Sequence, residues 1–238
     1  VAEAGAAVVA HCPALAIRRE AGGFEIATPQ ATVRARDVVV ATNGYTSALT
    51  PWLRRRVIPI QSSVIATEPL SPDTLARLFP TGRIASDTRR VVYYYAPSPD
   101  GRRIVFGGRV SAGARGPEVT APRLRRAMAR IFPELASARV SHAWSGNVAY
   151  SFDTLPHAGV HEGIHYAMGY CGSGVSLSSY LGMRTGRRVL GRADAATAFD
   201  GLPFPTRPLY AGRPWFLPAA VAWYRMRDEL EMRLAGAG

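Results

Sequence analysis

The segment at residues 164–190, IHYAMGYCGSGVSLSSYLGMRTGRRVL, constrains this chain more than any other. Residues 164–169 read as a short strand, and Gly169, Gly172 and Gly174 mark a turn. Leu177, Tyr180, Leu181 and Arg184 then recur at helical intervals. A strand that turns through glycines into a helix leaves the first-turn N–H groups unpaired, and the helix dipole adds partial positive charge there. Such an end holds anions. Glycines let a ligand touch the backbone because no Cβ intervenes. Gly174, Ser178, Gly182 and Gly186 repeat every fourth residue, so one helix face is small and can lie against a sheet or a flat cofactor. A plain strand–turn–helix packed in a core satisfies the same spacing. The run is not GxGxxG, and no ribose-binding acid follows at the expected distance.

Two other runs stand at informative places. Residues 38–41, VVVA, form a short apolar run of the kind found in a strand buried on both faces of a parallel sheet. Thr42, Asn43 and Gly44 end it, either as a plain turn or as residues beyond a strand end, where ligands of open α/β sheets lie. Residues 144–159, WSGNVAYSFDTLPHAG, carry a W-x-G … D-x-x-P-x-x-G pattern.

Together with GYCGSGVSLSSYLG at residues 169–182 and VVVATNGYTS at residues 38–47, this pattern resembles the glycine/D-amino-acid oxidase family of FAD-dependent oxidoreductases. PWFLPAAVAWYRMRD, residues 214–228, resembles the tail of its bacterial amine-oxidising branch. The family opens with a strand and a GxGxxG loop for the FAD pyrophosphate, and this chain has neither.

The resemblance implies an α/β (α+β) fold in which a partial FAD-binding Rossmann-like domain is interleaved with a substrate domain built on a mixed or antiparallel sheet. Residues 1–56 and 144–192 would form the FAD-binding part, 57–143 the substrate domain and 193–238 a C-terminal extension. FAD would be non-covalent, because the 144–159 run contains no cysteine. Its implied contacts are the backbone of Leu15 at the adenine, then Ala41, Thr42, Asn43 and Gly44 along the dinucleotide. Gly146 and Asp153 would stand beside the flavin ring, with Tyr170, Cys171, Gly172, Ser173, Gly174, Val175 and Ser176 at the helix start. By residue type alone Leu15 is a core leucine. Tyr93 and Tyr95 fall on one strand face and Tyr94 on the other; packing explains such a cluster, while the resemblance places Tyr93 and Tyr95 in the substrate cavity. Ala96 stands where an arginine often follows the tyrosines, and Arg109 is the candidate substitute. The implied reaction is hydride transfer from a small-molecule amine or amino acid to the flavin. No catalytic acid or base is identified.

Composition narrows the alternatives. A hydrophobic fraction of 47% and a charged fraction of 19% describe an ordinary globular chain. The formal net charge of +12 raises nucleic acid as a partner. However, every one of the 29 basic residues is arginine, and they are scattered. The densest cluster, Arg54-Arg55-Arg56, has only Trp52 beside it, so nucleic-acid binding is the least favoured reading. Cys12 and Cys171 are far apart, which suits a reducing cytoplasm rather than a disulfide scaffold. His157, His161 and His165 lack the convergent spacing and companion ligands of a metal site. No apolar run approaches the roughly 20 residues of a membrane span. The chain starts at Val and reads as if inside a domain, so a fragment is expected, with a missing N-terminal segment or a partner chain. A catalytically silent remnant, or a module that needs a partner, is the alternative to an enzyme.

Elsewhere local signals predict strands near residues 11–19, 24–28, 31–35, 57–67, 91–96 and 103–106. They predict helices from Ser71-Pro72, from Thr120 to Phe132 and from Pro218. On the last helix Trp223, Met226, Leu230 and Leu234 form one apolar stripe, expected to pack on the body of the protein, with a partner surface as the alternative.

Overall fold

Residues 2–109 and 113–235 are described by the computed structural model. In chain order the strands are β1 (Ala16–Glu20), β2 (Gly23–Ala27), β3 (Thr32–Ala35), β4 (Val38–Val40), β5 (Ile58–Thr67), β6 (Ala85–Ser86), β7 (Tyr93–Pro97), β8 (Ile104–Gly108), β9 (Val140–Tyr150), β10 (His157–His161) and β11 (Ile164–Met168). The helices are α1 (Pro51–Arg54), α2 (Pro72–Leu78), α3 (Pro117–Ile131), α4 (Gly174–Val189) and α5 (Leu217–Ala235). The chain divides into two units: residues 1–58 with 149–213, and residues 59–148 with 214–238. Neither unit is one continuous segment.

In the first unit β1, β2 and β3 form an antiparallel meander. Glu20 pairs with Gly23 across a two-residue turn in which Gly22 has φ 88°, a conformation that costs glycine nothing. The other sheet has the order β10-β11-β4. β10 and β11 are antiparallel, and the residues between them, Glu162 and Gly163, both take positive φ as a tight hairpin requires. β11 runs parallel to β4, with Tyr166 opposite Val40. Leu177 and Leu181 of α4 pack on Ala158, Ala167 and Tyr170. A second cluster gathers Val40, Leu53, Val57, Ala149, Tyr166, Met168 and Phe204. β4 is therefore not buried on both faces as expected. Among the described residues it pairs only with β11, and Val39 is 46% exposed on an uncovered side.

The second unit is built on a five-stranded sheet of order β6-β7-β8-β5-β9. Ile65, Ile104 and Phe106 of one face pack with Leu75 and Phe79 of the α2 region and with Leu124 and Met128 of α3. Ser71 caps α2 by accepting the Thr74 N–H at 3.2 Å. α3 starts three residues before the expected Thr120 because Gly116-Pro117 supplies an earlier start. Thr120 instead donates its hydroxyl to the Gly116 carbonyl at 3.2 Å.

The closing residues do not form one extension. Residues 193–213 fall in the first unit, where the Tyr210 hydroxyl donates to the Val57 carbonyl at 2.6 Å. α5 belongs to the second unit, and its apolar stripe does not pack on the body of that unit. Leu217, Val221 and Asp228 are buried, while Trp223, Met226, Leu230 and Leu234 are 49–71% exposed. A carboxylate explains the orientation. Asp228 accepts the N–H groups of Arg90 (3.1 Å) and Val91 (3.0 Å), and the Arg90 guanidinium lies at 3.4 Å. Asp228 titrates below the ordinary carboxylate range. Burial alone would raise it, but the Val91 and Arg90 amides and the Arg90 charge outweigh that effect.

Candidate functional site

Because β4 and β11 are parallel, both chains leave the sheet at the same edge, and their ends are tied together. Asn43, at φ 44°, accepts the Gly169 N–H on its side-chain oxygen at 3.0 Å. The turn after β11 is held from within. Gly169, Cys171 and Gly172 all take positive φ. The Cys171 N–H donates to the Ala149 carbonyl at 3.0 Å, and the Ser173 N–H to the Tyr170 carbonyl at 2.9 Å. The Tyr170 hydroxyl donates to the Ala167 carbonyl at 3.0 Å, and burial raises its pKa. Left-handed backbone at two non-glycine positions is costly and persists only where the surroundings enforce it.

α4 follows without a side-chain cap: Ser173, at its N-cap, makes no capping hydrogen bond. The N–H groups of Gly174, Val175 and Ser176 are thus the open donors of a 16-residue helix, and Val175 is 95% exposed. Beside them runs a groove of about 580 Å³, lined by Val39, Ala41 and Asn43 on one side and by Gly174, Ser178, Gly182 and Gly186 on the other. A Cβ built on Gly182 or Gly186 would meet nothing within 4 Å, and one on Gly174 only the Tyr170 side chain at 3.7 Å. Nothing in the described chain requires these glycines, although each interior one costs a helix up to about 1 kcal/mol. The hydroxyl of Thr185, 3% exposed on the groove wall, has no hydrogen-bond partner among the described residues. A glycine-faced groove ending in open N–H donors fits a flat group with an electron-rich edge, which is the chemistry of the flavin implied by the sequence.

The other predicted residues are distributed as follows. Leu15 is 60% exposed rather than a core leucine, and its N–H is engaged by the Ala27 carbonyl at 2.7 Å. Thr42 shares a hydroxyl hydrogen bond with Thr46 at 2.8 Å. Gly146 lies half-buried in β9, in the second unit. Tyr95 stacks on Phe106 and meets Phe132 edge-on, inside the cluster beneath α3. Tyr93 packs on the same Phe106. Tyr94 points to the opposite face, its ring over Gly107 and its hydroxyl 3.0 Å from that of Ser62. The Arg109 carbonyl accepts from Arg225 at 2.9 Å.

Asp153 is part of an internal pair that sequence reading missed. Its carboxylate lies 3.0 Å from Nε2 of His157, which is 1% exposed and stacks on Phe204 with centroids 4.0 Å apart. Burial would raise the Asp153 pKa, yet hydrogen bonds from His157, the Leu155 N–H and Ser151 hold it below the ordinary value. The D-x-x-x-H spacing was the available signal. His161 stacks on Trp52 at 3.9 Å, and among the described residues no group of three or more His, Cys, Asp or Glu could hold a metal. Arg56, from the densest basic run, turns inward. It stacks on Trp52 at 3.6 Å and donates to the Trp52 and Phe204 carbonyls. No described helix is long and apolar enough to cross a membrane.

The chain is similar to several known proteins. A family model described as "FAD dependent oxidoreductase" (DAO) matches residues 1–188. The chain is 34% identical over 230 residues to a "probable oxidoreductase OrdL" of Rhizobium meliloti, covering 94% of this chain and 52% of that protein. It is 30% identical over 210 residues to the "gamma-glutamylputrescine oxidoreductase" of Escherichia coli, covering 86% and 49% respectively. Its fold resembles that of glycine oxidase from Geobacillus kaustophilus, with a TM-score of 0.66 at 24% identity over 87% of this chain and 55% of that one. The chain spans about half the length of the curated relatives it matches.

Proposed function

The chain belongs to the DAO family of FAD dependent oxidoreductases, and from that premise we propose that the whole protein oxidises a small amine or amino acid. The reading is supported by relatives whose names specify amine or amino-acid oxidoreduction. The observation that carries it is the uncapped N-terminus of α4 beside a glycine-faced groove. Bound FAD would supply the hydride acceptor for the α-carbon of the substrate. The N–H groups of Gly174, Val175 and Ser176 would hold the electron-rich edge of the flavin by fixed dipoles that need no reorganisation. Ala41, Thr42, Asn43 and Gly44 would follow the linker, with the Asn43–Gly169 hydrogen bond keeping both strand ends in place. Asp153, already committed to His157, would support the adjoining loop rather than exchange protons with substrate.

At the substrate end we place Tyr94 first. It stands on the sheet face opposite the cluster under α3, whereas a substrate contact by Tyr95 would need that cluster to open. The role expected of Tyr93 and Arg109 is kept as part of this proposal. Both cysteines are free, and a reducing compartment, the cytoplasm, is the setting we assign.

The open β4 edge and the bare glycine face favour one refinement. These 238 residues contain no GxGxxG loop, so by themselves they hold FAD weakly, and a longer protein or a partner chain completes the nucleotide site. Flavin fluorescence titration of the 238-residue chain, set beside the flavin content of the whole purified protein, tests both levels. A colourless whole protein overturns the oxidase reading. Tight binding by the chain alone leaves that reading intact and overturns the refinement.

A further inference from the structure

The second unit holds a cleft of about 660 Å³ between α3, α5 and the segment leading into β7. Six arginines line it: Arg89 from that segment, Arg123, Arg126 and Arg130 from α3, and Arg225 and Arg233 from α5. Two carboxylates, Asp228 and Glu229, share the wall. Asp228 accepts from the Arg90 and Val91 amides and lies 3.4 Å from the Arg90 guanidinium, which pairs more closely with Glu231 at 2.7 Å, so two carboxylates stand against six lining arginines. Arg89 faces Asp87 at 3.4 Å. Arg126 and Arg225 donate to the main-chain carbonyls of Pro122 and Arg109, contacts that orient a guanidinium without neutralising it. The three α3 arginines recur at i, i+3 and i+7, which puts them on one helix face, where like charges destabilise an isolated helix. The rest of the wall is apolar: Val91, Tyr93, Ala127 and Met232.

We propose that this cleft binds a multiply charged organic phosphate, a small molecule with a compact anionic head and an apolar body. Guanidinium groups pair with phosphate oxygens in two-point, charge-assisted contacts, and arginine suits that geometry better than lysine. Several guanidinium groups converging from three elements match a head that concentrates several charges. The apolar wall takes the uncharged body, and the volume is that of a small-ligand site. Its residues all belong to the second unit and none contributes to the groove beside α4; of the residues proposed for the substrate end, Tyr93 alone also lines this cleft. A single tyrosine in a bounded cleft does not provide the succession of stacking platforms that a nucleic-acid strand uses.

Calorimetric titration of the 238-residue chain tests this at about 0.15 M salt, where attraction between distant exposed charges is largely screened. The probes are inorganic tripolyphosphate, 1-naphthyl phosphate and uncharged 1-naphthol. We expect the two phosphates to bind and 1-naphthol not to bind. Arg126→Glu with Arg130→Glu should weaken both phosphates at least tenfold. Arg83→Glu with Arg102→Glu makes the same charge change at exposed positions outside the cleft and should leave both within twofold. Met232→Ser should weaken naphthyl phosphate alone. Thermal unfolding checks that the cleft pair folds; if it does not, Arg126→Gln with Arg130→Gln is read in its place. Unchanged binding in the cleft variants, or equal loss in the control pair, overturns the proposal. So does a single-stranded DNA oligomer that binds more tightly than tripolyphosphate.

Discussion

Gly174→Val separates the two explanations for the glycine face of α4. Gly174 is the first residue of the helix, and its φ is not in the left-handed region, so a side chain is allowed by the backbone. The added Cβ would meet only Tyr170, at 3.7 and 3.8 Å, which is ordinary contact. Replacing glycine in a helix gains roughly 0.5–1 kcal/mol of backbone entropy, part of which a β-branched residue gives back. The stability of the 238-residue chain should therefore move by less than about 1 kcal/mol. Flavin binding should respond differently, because two methyl groups would stand where the cofactor must reach the first-turn N–H groups. Loss of one hydrogen bond to a charged group is worth about 1.5–3 kcal/mol, or about ten- to hundredfold in affinity. Urea unfolding of the chain and the flavin-to-protein absorbance ratio of the whole protein measure the two effects. Full flavin content in Gly174→Val would refute the placement of the site. Collapse of the chain itself would refute the claim that no internal contact requires this glycine.

Four further outcomes are expected. Asp228→Ala leaves the Arg90 and Val91 amides without their acceptor and should cost about 2–4 kcal/mol in urea unfolding; a loss below about 0.5 kcal/mol would mean that α5 is held by its apolar contacts alone. Because the Asp228 pKa is depressed by folding, its contribution is complete above the unfolded value of about 3.9 and lost as pH falls through the lower folded value, so Asp228→Asn should flatten the acid limb of the stability profile. In the whole protein Tyr94→Phe should change the Michaelis constant for an amine while Tyr95→Phe leaves it alone, and the reverse pattern would return Tyr95 to the substrate cavity. Val39→Lys, on the exposed side of β4, should reduce concentration-dependent light scattering of the chain without altering its unfolding midpoint, since a charge on an edge strand opposes pairing between copies; unchanged scattering would show that this edge does not drive association.

Much of the candidate site could be read from the sequence because its signals are local. The glycines at 169, 172 and 174 and the helical spacing after them describe the β11–α4 unit within a few residues of its observed bounds. What the sequence leaves open, or points the wrong way, depends on the other side of an interface. Period-two alternation separates Tyr94 from Tyr93 and Tyr95, but it does not say which face α3 covers. The stripe Trp223, Met226, Leu230 and Leu234 has the right spacing for burial, yet the buried hydrogen bonds of Asp228 orient α5 the opposite way. The eleven residues of β9 went unread because His142 and Gly146 interrupt the set Val140, Trp144, Val148 and Tyr150, while Ala143 and Ala149 make the alternate set partly apolar. β4 was read as doubly buried because a run of valines carries no information about how many neighbours the strand will have.

The division of the chain also bears on its order of synthesis. The first unit is interrupted after residue 58 and resumes only at 149, and the second resumes at 214 after a break of its own. As the polypeptide leaves the ribosome, β4 therefore waits for β11, more than a hundred residues later, before its one described ladder can form. The amides of Arg90 and Val91 wait similarly for Asp228. Such non-local pairings slow folding and leave apolar strands uncovered meanwhile. While residues 59–213 emerge both units are still unfinished, and the second waits for the Asp228 carboxylate of α5.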